Sequence, residues 1–462
     1  MIFEKNKVSD IKIAYIGGGS RGWAWGLMSD LASCSDISGT VALYDIDNQA
    51  ALHNETIGNQ FNILADAKSH WEYKAVPTLA SALQGADFAV ISILPGTFDE
   101  MESDVHAPEK YGIYQSVGDT TGPGGVIRAL RTIPMMEEIA LAIKEYAPTA
   151  WVINYTNPMT VCIDTLYRTF PGIKAFGCCH EVFGTQKLLA SVVEEAQGCS
   201  VSRDEVKVNV LGINHFTWLT QAQYRGTDIF PLYSAFCEKY AAACHEKGKD
   251  DNWMNNSFLS NDKVKMDLFR RYGYIAAAGD RHLAEFCDGA WYLKDPQTVA
   301  EWQFGLTPVS WRKEDLKKRL QRSADMISGK ETVTIKNTGE EGTNQIRALL
   351  GLQDLVTNVN IPNRGQIPNL PIGAVVETNA VFRADTVAPV FAGAIPMEIY
   401  ALIARIVGEQ QMIVTAGKNR DLNLAFQAFA TDPLTRLSIA DAKKLFDEMI
   451  GNTSKYLTMY QL

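Results

Sequence analysis

From residue 11 to about residue 178, short apolar runs rich in β-branched residues alternate with stretches whose apolar positions recur every three or four residues. The runs at 11–17, 41–45, 88–94, 151–154 and 173–177 read as strands, and the intervening pattern reads as helices. One helix is expected over 126–144, where Val126, Leu130, Ile133, Ile139 and Ile143 recur at helical spacing and Pro134 should introduce a kink. Strands alternating with helices predict an α/β unit built on a doubly wound parallel sheet, assigned here to residues 1–200. From residue 206 the pattern changes. Residues 206–213 and 216–224 predict neighbouring antiparallel strands, and long helical patterns follow, so 201–462 is expected to form an α+β domain. Residues 332–344, rich in Gly, Glu, Asn and Thr, read as a flexible surface segment.

Composition narrows the partners. The chain has 462 residues, 46% of them hydrophobic, which is enough to bury a large core. No apolar run approaches the roughly 18 to 20 residues of a membrane span, and the first residues lack a basic, then apolar, then small-residue export pattern. A net charge of -10, without a block of Lys and Arg, argues against nucleic acid. Eight scattered cysteines argue against a disulfide framework and for a reducing, cytoplasmic setting.

The first chemical motif is Gly17-Gly18-Gly19-Ser20-Arg21-Gly22, which follows an apolar strand and opens a helical stretch. Glycines there permit a tight turn and bring backbone N–H groups close to a pyrophosphate, as in a Rossmann-type dinucleotide site. Asp45 ends the next strand, where a carboxylate accepts from ribose hydroxyls and repels a 2′-phosphate, so NAD is expected rather than NADP. Gly17, Gly18, Gly19, Ser20, Arg21 and Asp45 are the candidate cofactor residues.

Two further motifs carry ionisable groups. Cys178-Cys179-His180-Glu181 follows the strand at 173–177, and Asn214-His215 lies downstream. A thiolate and a neutral imidazole bind divalent metals and leave positions open for substrate, although a buried cysteine is also an ordinary small apolar residue, the reading preferred for Cys178. Gly279-Asp280-Arg281-His282-Leu283-Ala284-Glu285-Phe286 places four ionisable groups within six positions, a set that could line a cleft; taken alone, the preferred reading is a charged helix start with Asp280 in the first turn and Glu285 facing solvent. Asn154 and Asn157-Pro158 follow a strand, at the sheet edge where open α/β folds bind ligands.

Together these residues resemble a known family. The glycine turn, the 121–125 Thr-Gly-Pro-Gly-Gly run ahead of Arg131-Thr132-Ile133-Pro134, Asn157-Pro158, Cys179-His180-Glu181-Val182, Asn214-His215 and the 367–371 Ile-Pro-Asn-Leu-Pro run look like glycoside hydrolase family 4, in that family's order. Cys-His-Glu-Val resembles its α-galacturonidase subgroup, and His180 argues against a sugar 6-phosphate. One departure is the absence of arginine between 94 and 109, where many members carry one.

The resemblance implies NAD and a divalent metal such as Mn2+, and a lactate/malate dehydrogenase-like architecture that assembles as a homo-oligomer, a dimer or a tetramer. It implies hydrolysis by transient oxidation at C3, removal of the C2 proton, elimination of the aglycone, addition of water at C1 and return of the hydride. In that scheme Cys179 and His215 resemble the metal ligands, His180 the proton donor and Asp280 the base, with Tyr272 and Tyr274 as alternative bases. Asn157 would hold sugar hydroxyls, and Arg281 or Arg364 would pair with a uronate carboxylate. Other readings are an α-glucuronidase, α-galactosidase or α-glucosidase of the same family, a net NAD-dependent 2-hydroxy acid dehydrogenase, and a non-catalytic NAD-sensing module.

Overall fold

The computed structural model describes residues 1–241, 260–336 and 338–461. Its main sheet contains β1 (Ile2–Glu4), β2 (Lys7–Ile16), β3 (Ile37–Tyr44), β4 (Trp71–Ala75), β5 (Phe88–Ile91), β6 (Trp151–Asn154) and β7 (Lys174–Gly177). A second sheet contains β8 (Val206–Ile213), β9 (Phe216–Tyr224), β10 (Thr227–Asp228) and β11 (Ile275–Ala276); β12 (Leu355–Pro362), β13 (Val375–Arg383) and β14 (Thr386–Pro389) return to the first. The main sheet runs β14-β13-β12-β7-β6-β5-β2-β3-β4, with β1 on β2. Strands β2 to β7 are parallel, in registers such as Ile13 with Phe88 and Ile153 with Phe176.

The apolar runs explain that arrangement. All four residues of β5 are buried, as are Ile13, Ala14, Tyr15 and Ile16 of β2, because helices cover both faces of the sheet. Each Ile or Val fully buried in this way contributes about 1.5–3 kcal/mol of favourable transfer energy. The expected helix at 126–144 extends over Gly122–Tyr146 and continues through Pro134. The antiparallel pair β8 and β9 falls on the expected positions, with Ile213 opposite Phe216 across a turn formed by Asn214 and His215.

Two features differ from the expectations. The sheet does not stop at residue 200: β12 runs antiparallel to β7, with Asn360 opposite Gly177, so the later part of the chain completes the earlier sheet. A Cβ on Gly177 would lie 2.6 Å from Met159 Sδ and 3.0 Å from Asn360 Cβ, so a larger residue here would have to displace the Met159 side chain. Part of 332–344 is also ordered into the protein, since helix Gly342–Leu349 begins there and Glu340 reaches the site described next. Its polar composition reflects contacts with buried ionic groups rather than a free surface.

Candidate active site

The loops at the carboxyl ends of β2, β3, β6 and β7 converge on one edge of the sheet, as open α/β folds place their ligands. Gly17 has φ +93°, and a Cβ there would lie 2.0 Å from Ser92 O; its N–H and that of Gly18 donate to Tyr44 O at 2.9 and 2.8 Å. Asp45 Oδ2 accepts from Gly19 N (2.8 Å), tying the turn to the end of β3. Asn54 adds a constraint with no motif to announce it: its Nδ2 donates to Gly18 O (2.7 Å) and Ser20 O (3.0 Å). Arg21 follows, its guanidinium 3.9 Å from Asp47, at the rim of a cavity of about 500 Å3 that also touches Trp23, Tyr155 and Glu340. The expected cofactor residues are thus assembled as one turn.

Beyond that turn the structure gathers Asp119, His215 and His282. Each offers one ligand atom, and these atoms all lie within 4.8 Å of one another. The His215 and His282 rings are 3.8 Å apart, and His215 Nδ1 meets Thr120 Oγ1 at 3.0 Å. Thr120 Oγ1 in turn donates to Asp119 Oδ1 (2.8 Å). His215 stands at φ +64° in the β8–β9 turn, which aims its ring into the cluster. Burial, reinforced by His282, pushes His215 down to about 3, and burial lowers His282 as well, so both imidazoles are neutral donors. Burial works against ionisation of Asp119, but Arg128 and the neighbouring imidazoles bring it to about 2. One carboxylate and two neutral imidazoles suit a borderline divalent cation. Buried His282 Nδ1, Asn157 Oδ1 and Asn214 Oδ1 have no hydrogen-bond partner among the described residues, which fits a site built to receive further groups.

Of the two expected metal ligands, His215 joins this group and Cys179 stands beside it. Cys179 is buried, with its thiol against the Asn214 side chain; burial, with Glu377 and Glu181 nearby, pushes that thiol well above its ordinary range. A bound cation would reverse that balance. Glu377 organises the pair from behind, accepting from Asn214 Nδ2 (3.2 Å) and Asn358 Nδ2 (2.6 Å), while Asn358 also donates to Cys179 O (3.3 Å). Cys178 is a core residue, as expected.

His180 Nδ1 lies 3.1 Å from Glu340 Oε1, and its Nε2 lies 4.0 Å from Glu181 Oε1. Burial opposes the imidazolium, yet the Glu340 charge and hydrogen bond outweigh it and raise His180 to about 9. A protonated imidazole is suited to giving a proton to a leaving oxygen. Glu181 is a hub: it accepts from Gly279 N (2.7 Å) and lies 3.6 Å from His282 Nε2. Burial opposes its charge, but His282 and His180 help hold it at about 2.

Several expected residues take other places. Asp280 is fully buried, with Oδ1 accepting from Lys265 N (3.1 Å) in the first turn of helix Lys263–Tyr272, a helix-capping contact. Arg281 donates from Nε to Gly305 O (3.1 Å) and from Nη2 to Ser116 O (2.5 Å) and Thr307 Oγ1, so its fork pins loops together. Arg364 lies beyond β12, which runs antiparallel to β7 past Gly177 and carries it toward the amino end of the parallel strands, near Tyr167. Glu285, expected in solvent, is fully buried and accepts from Val117 N (2.7 Å) and Gly118 N (2.9 Å). Asn157 is correctly placed at the sheet edge, its O accepting from Arg128 Nε at 3.1 Å. Sequence reasoning missed Asp119, His282 and Glu340 as site members. His282 stood inside a quoted motif, and Asp119 lies just before the Thr-Gly-Pro-Gly-Gly run.

A dinucleotide-type turn beside a metal-capable cluster and an imidazolium–carboxylate pair defines a nucleotide-binding α/β enzyme with a metal-capable centre. The chain belongs to family 4 of the glycosyl hydrolases, matching that family over residues 12–195 and its C-terminal domain over 210–435. It is therefore a glycosidase, and the net-dehydrogenase and binding-module readings are set aside. It is 61% identical to an α-galacturonidase from Thermoanaerobacterium saccharolyticum over 463 aligned residues, covering 100% of both chains. A crystal structure of a candidate glucosidase from Bacillus subtilis superposes with a TM-score of 0.91 at 53% identity, covering 96% of this chain and 100% of that one. A 6-phospho-α-glucosidase from gut microorganisms, solved in complex with NAD and Mn2+, shares the fold at 19% identity and a TM-score of 0.79, covering 97% of this chain and 99% of that one. No helix among the described residues is long and apolar enough to cross a membrane.

Proposed function

We propose that this glycosidase hydrolyses α-D-galacturonides with bound NAD and a divalent cation such as Mn2+, neither consumed in the cycle. The observation that carries the substrate assignment is the 61% identity to an α-galacturonidase over the whole length of both chains. When bound, NAD supplies reversible hydride transfer at C3 and the cation supplies Lewis acidity at the C2 and C3 oxygens.

The chain's own groups supply the rest. Gly17, Gly18, Gly19, Ser20 and Arg21 shape the turn for the pyrophosphate, and Asp45 faces the ribose. Asp119, His215 and His282 form the cation site in this reading, with Cys179 as a neighbouring thiolate ligand. His180, kept protonated by Glu340, gives its proton to the departing glycosidic oxygen. Asn157 Oδ1, buried and without a partner, accepts from a sugar hydroxyl. Motif position and geometry part over the base: the motif nominates Asp280, while its capping contact favours a structural role. Residues 1–200 carry the dinucleotide together with Asp119, Asn157, Cys179 and His180, and residues 201–462 add His215, His282 and Glu340, the two stretches being joined through the shared sheet. The enzyme acts in the cytoplasm as a homo-oligomer, in keeping with the free cysteines of the described residues.

The test is turnover of 4-nitrophenyl α-D-galacturonide with NAD+, Mn2+ and a thiol reductant. Release of nitrophenol without accumulation of NADH supports the reading. Cleavage of the α-glucuronide or α-galactoside alone would move the substrate assignment.

A further inference from the structure

A substrate with a carboxylate needs a cation inside the cleft, and both arginines that the sequence nominated are unsuited, one tied to loop carbonyls and the other at the wrong end of the sheet. Arg128 is placed differently. It lies on helix Gly122–Tyr146, is 5% exposed, and donates from Nε to Asn157 O at 3.1 Å. Its two terminal nitrogens have no hydrogen-bond partner among the described residues. Arg131, one turn further on, offers no such fork, because both its terminal nitrogens pair with Asp104, at 3.0 and 2.5 Å.

Arg128 and its charged neighbours together carry one more positive than negative charge. Asp119 and Asp104 are the anions, and Arg131 and Arg312 the other cations, with Asp104 already engaged by Arg131. Uncompensated buried charge is unfavourable, so an arriving anion is stabilised there rather than repelled. A planar fork with both ends open matches a carboxylate in two parallel hydrogen bonds. Asn157 Oδ1, also buried and unpartnered, lies on the residue that Arg128 holds, which puts a hydroxyl acceptor beside the carboxylate receiver.

We propose that Arg128 binds the C6 carboxylate of the sugar being cleaved and is the residue that selects uronides over neutral hexosides. This rests on the galacturonidase reading above. The contending anion is the dinucleotide pyrophosphate, which the Gly17–Arg21 turn already accommodates.

The experiment compares wild type, Arg128→Gln and Arg128→Lys, each loaded with NAD+ and Mn2+, on 4-nitrophenyl α-D-galacturonide and on its uncharged C6 methyl ester. In the Gln variant the acid-to-ester ratio of kcat/KM should fall about 100-fold, the ratio cancelling any slowing common to both substrates that comes through Asn157 or Asp119, with Lys recovering about a tenth of the loss. NAD+ half-saturation should stay within about threefold of wild type. A ratio that stays put while both substrates slow together, or a loss traced to weaker NAD+ binding, overturns the assignment. Where turnover is too slow to measure, binding of D-galacturonate against D-galactose to the NAD+-loaded protein gives the same ratio. A preference for the acid surviving in Arg128→Gln again overturns it. Failure of wild type to cleave the galacturonide would instead remove the underlying substrate reading, before any variant is compared.

Discussion

His180 and Glu340 come from opposite halves of the chain, yet His180 Nδ1 lies 3.1 Å from Glu340 Oε1. The pairing gives His180, the proposed proton donor, a fixed orientation and a fixed charge. Glu340→Gln keeps the shape and removes the charge, so turnover of glycosides with poor leaving groups, such as methyl α-D-galacturonide, should fall about 100-fold. Nitrophenyl substrates, which need little protonation, should slow less than about tenfold. Leaving-group dependence measured across a phenol series checks this; equal slowing throughout would detach Glu340 from proton donation.

The cation site is tested at His282, the ligand candidate that spacing alone did not mark. His282→Ala should weaken Mn2+ binding at least about tenfold, read by titration of the apo-protein, and lower activity by more than about 100-fold. Cys179→Ser should cost more than about tenfold in turnover, equivalent to about 1.4 kcal/mol of barrier, with NAD+ binding preserved. Full Mn2+ affinity in His282→Ala would restrict the ligand set to residues other than His282.

Hydrolysis through C2 deprotonation leaves an isotopic record, and Asp280 can be judged by it. Product formed in D2O should carry deuterium at C2, which direct displacement at C1 does not produce. Because Asp280 caps helix Lys263–Tyr272, Asp280→Ala should destabilise the fold by about 1 kcal/mol, whereas Asp280→Asn keeps an acceptor oxygen and should leave C2 exchange within about tenfold of wild type. Loss of exchange at unchanged thermal stability would return the base role to Asp280.

Glu285 makes stability depend on pH. A glutamate that titrates near 4.5 when free titrates near 8 in the folded protein, because burial outweighs the two backbone N–H bonds it accepts. Folding therefore favours the protonated form. The contribution is fully present below about 4.5 and is lost as pH rises through about 8. The melting temperature should decline over that interval, and Glu285→Gln should flatten the decline, measured by scanning calorimetry at matched ionic strength. An unchanged slope in the variant would mean that other groups set it.

Much of the fold was legible because parallel strands covered on both faces must be apolar throughout, and the run at 151–154 coincides with β6; the antiparallel run at 206–213 likewise coincides with β8. The edge strand β4 was not, since Trp71–Ala75 alternates buried and exposed positions over only 5 residues. The glycine turn and His215 were readable because their chemistry constrains backbone and residue type together. Arg128 and Glu340 were not, because a buried charge and a solvated one are written with the same letter. What separates them is long-range packing: Arg128 against Asn157, Glu340 against His180. Arg281 failed in the opposite direction. Its neighbourhood in the motif was right, but Ser116, Gly305 and Thr307 had already engaged its donors.

The crossing of β12 onto β7 also governs how the protein can be made. A ribosome releases the parallel strands long before Leu355–Pro362 emerges, so the nascent sheet waits with the β7 edge unprotected while about two fifths of the polypeptide is synthesised. A fragment ending near residue 200 would keep that edge permanently bare and should self-associate instead of folding into a working nucleotide module. Co-expressing it with the remainder should recover soluble material only where the later strands dock. Within such a topology both stretches of chain share one sheet, so division at the apparent seam should cost the fold of each.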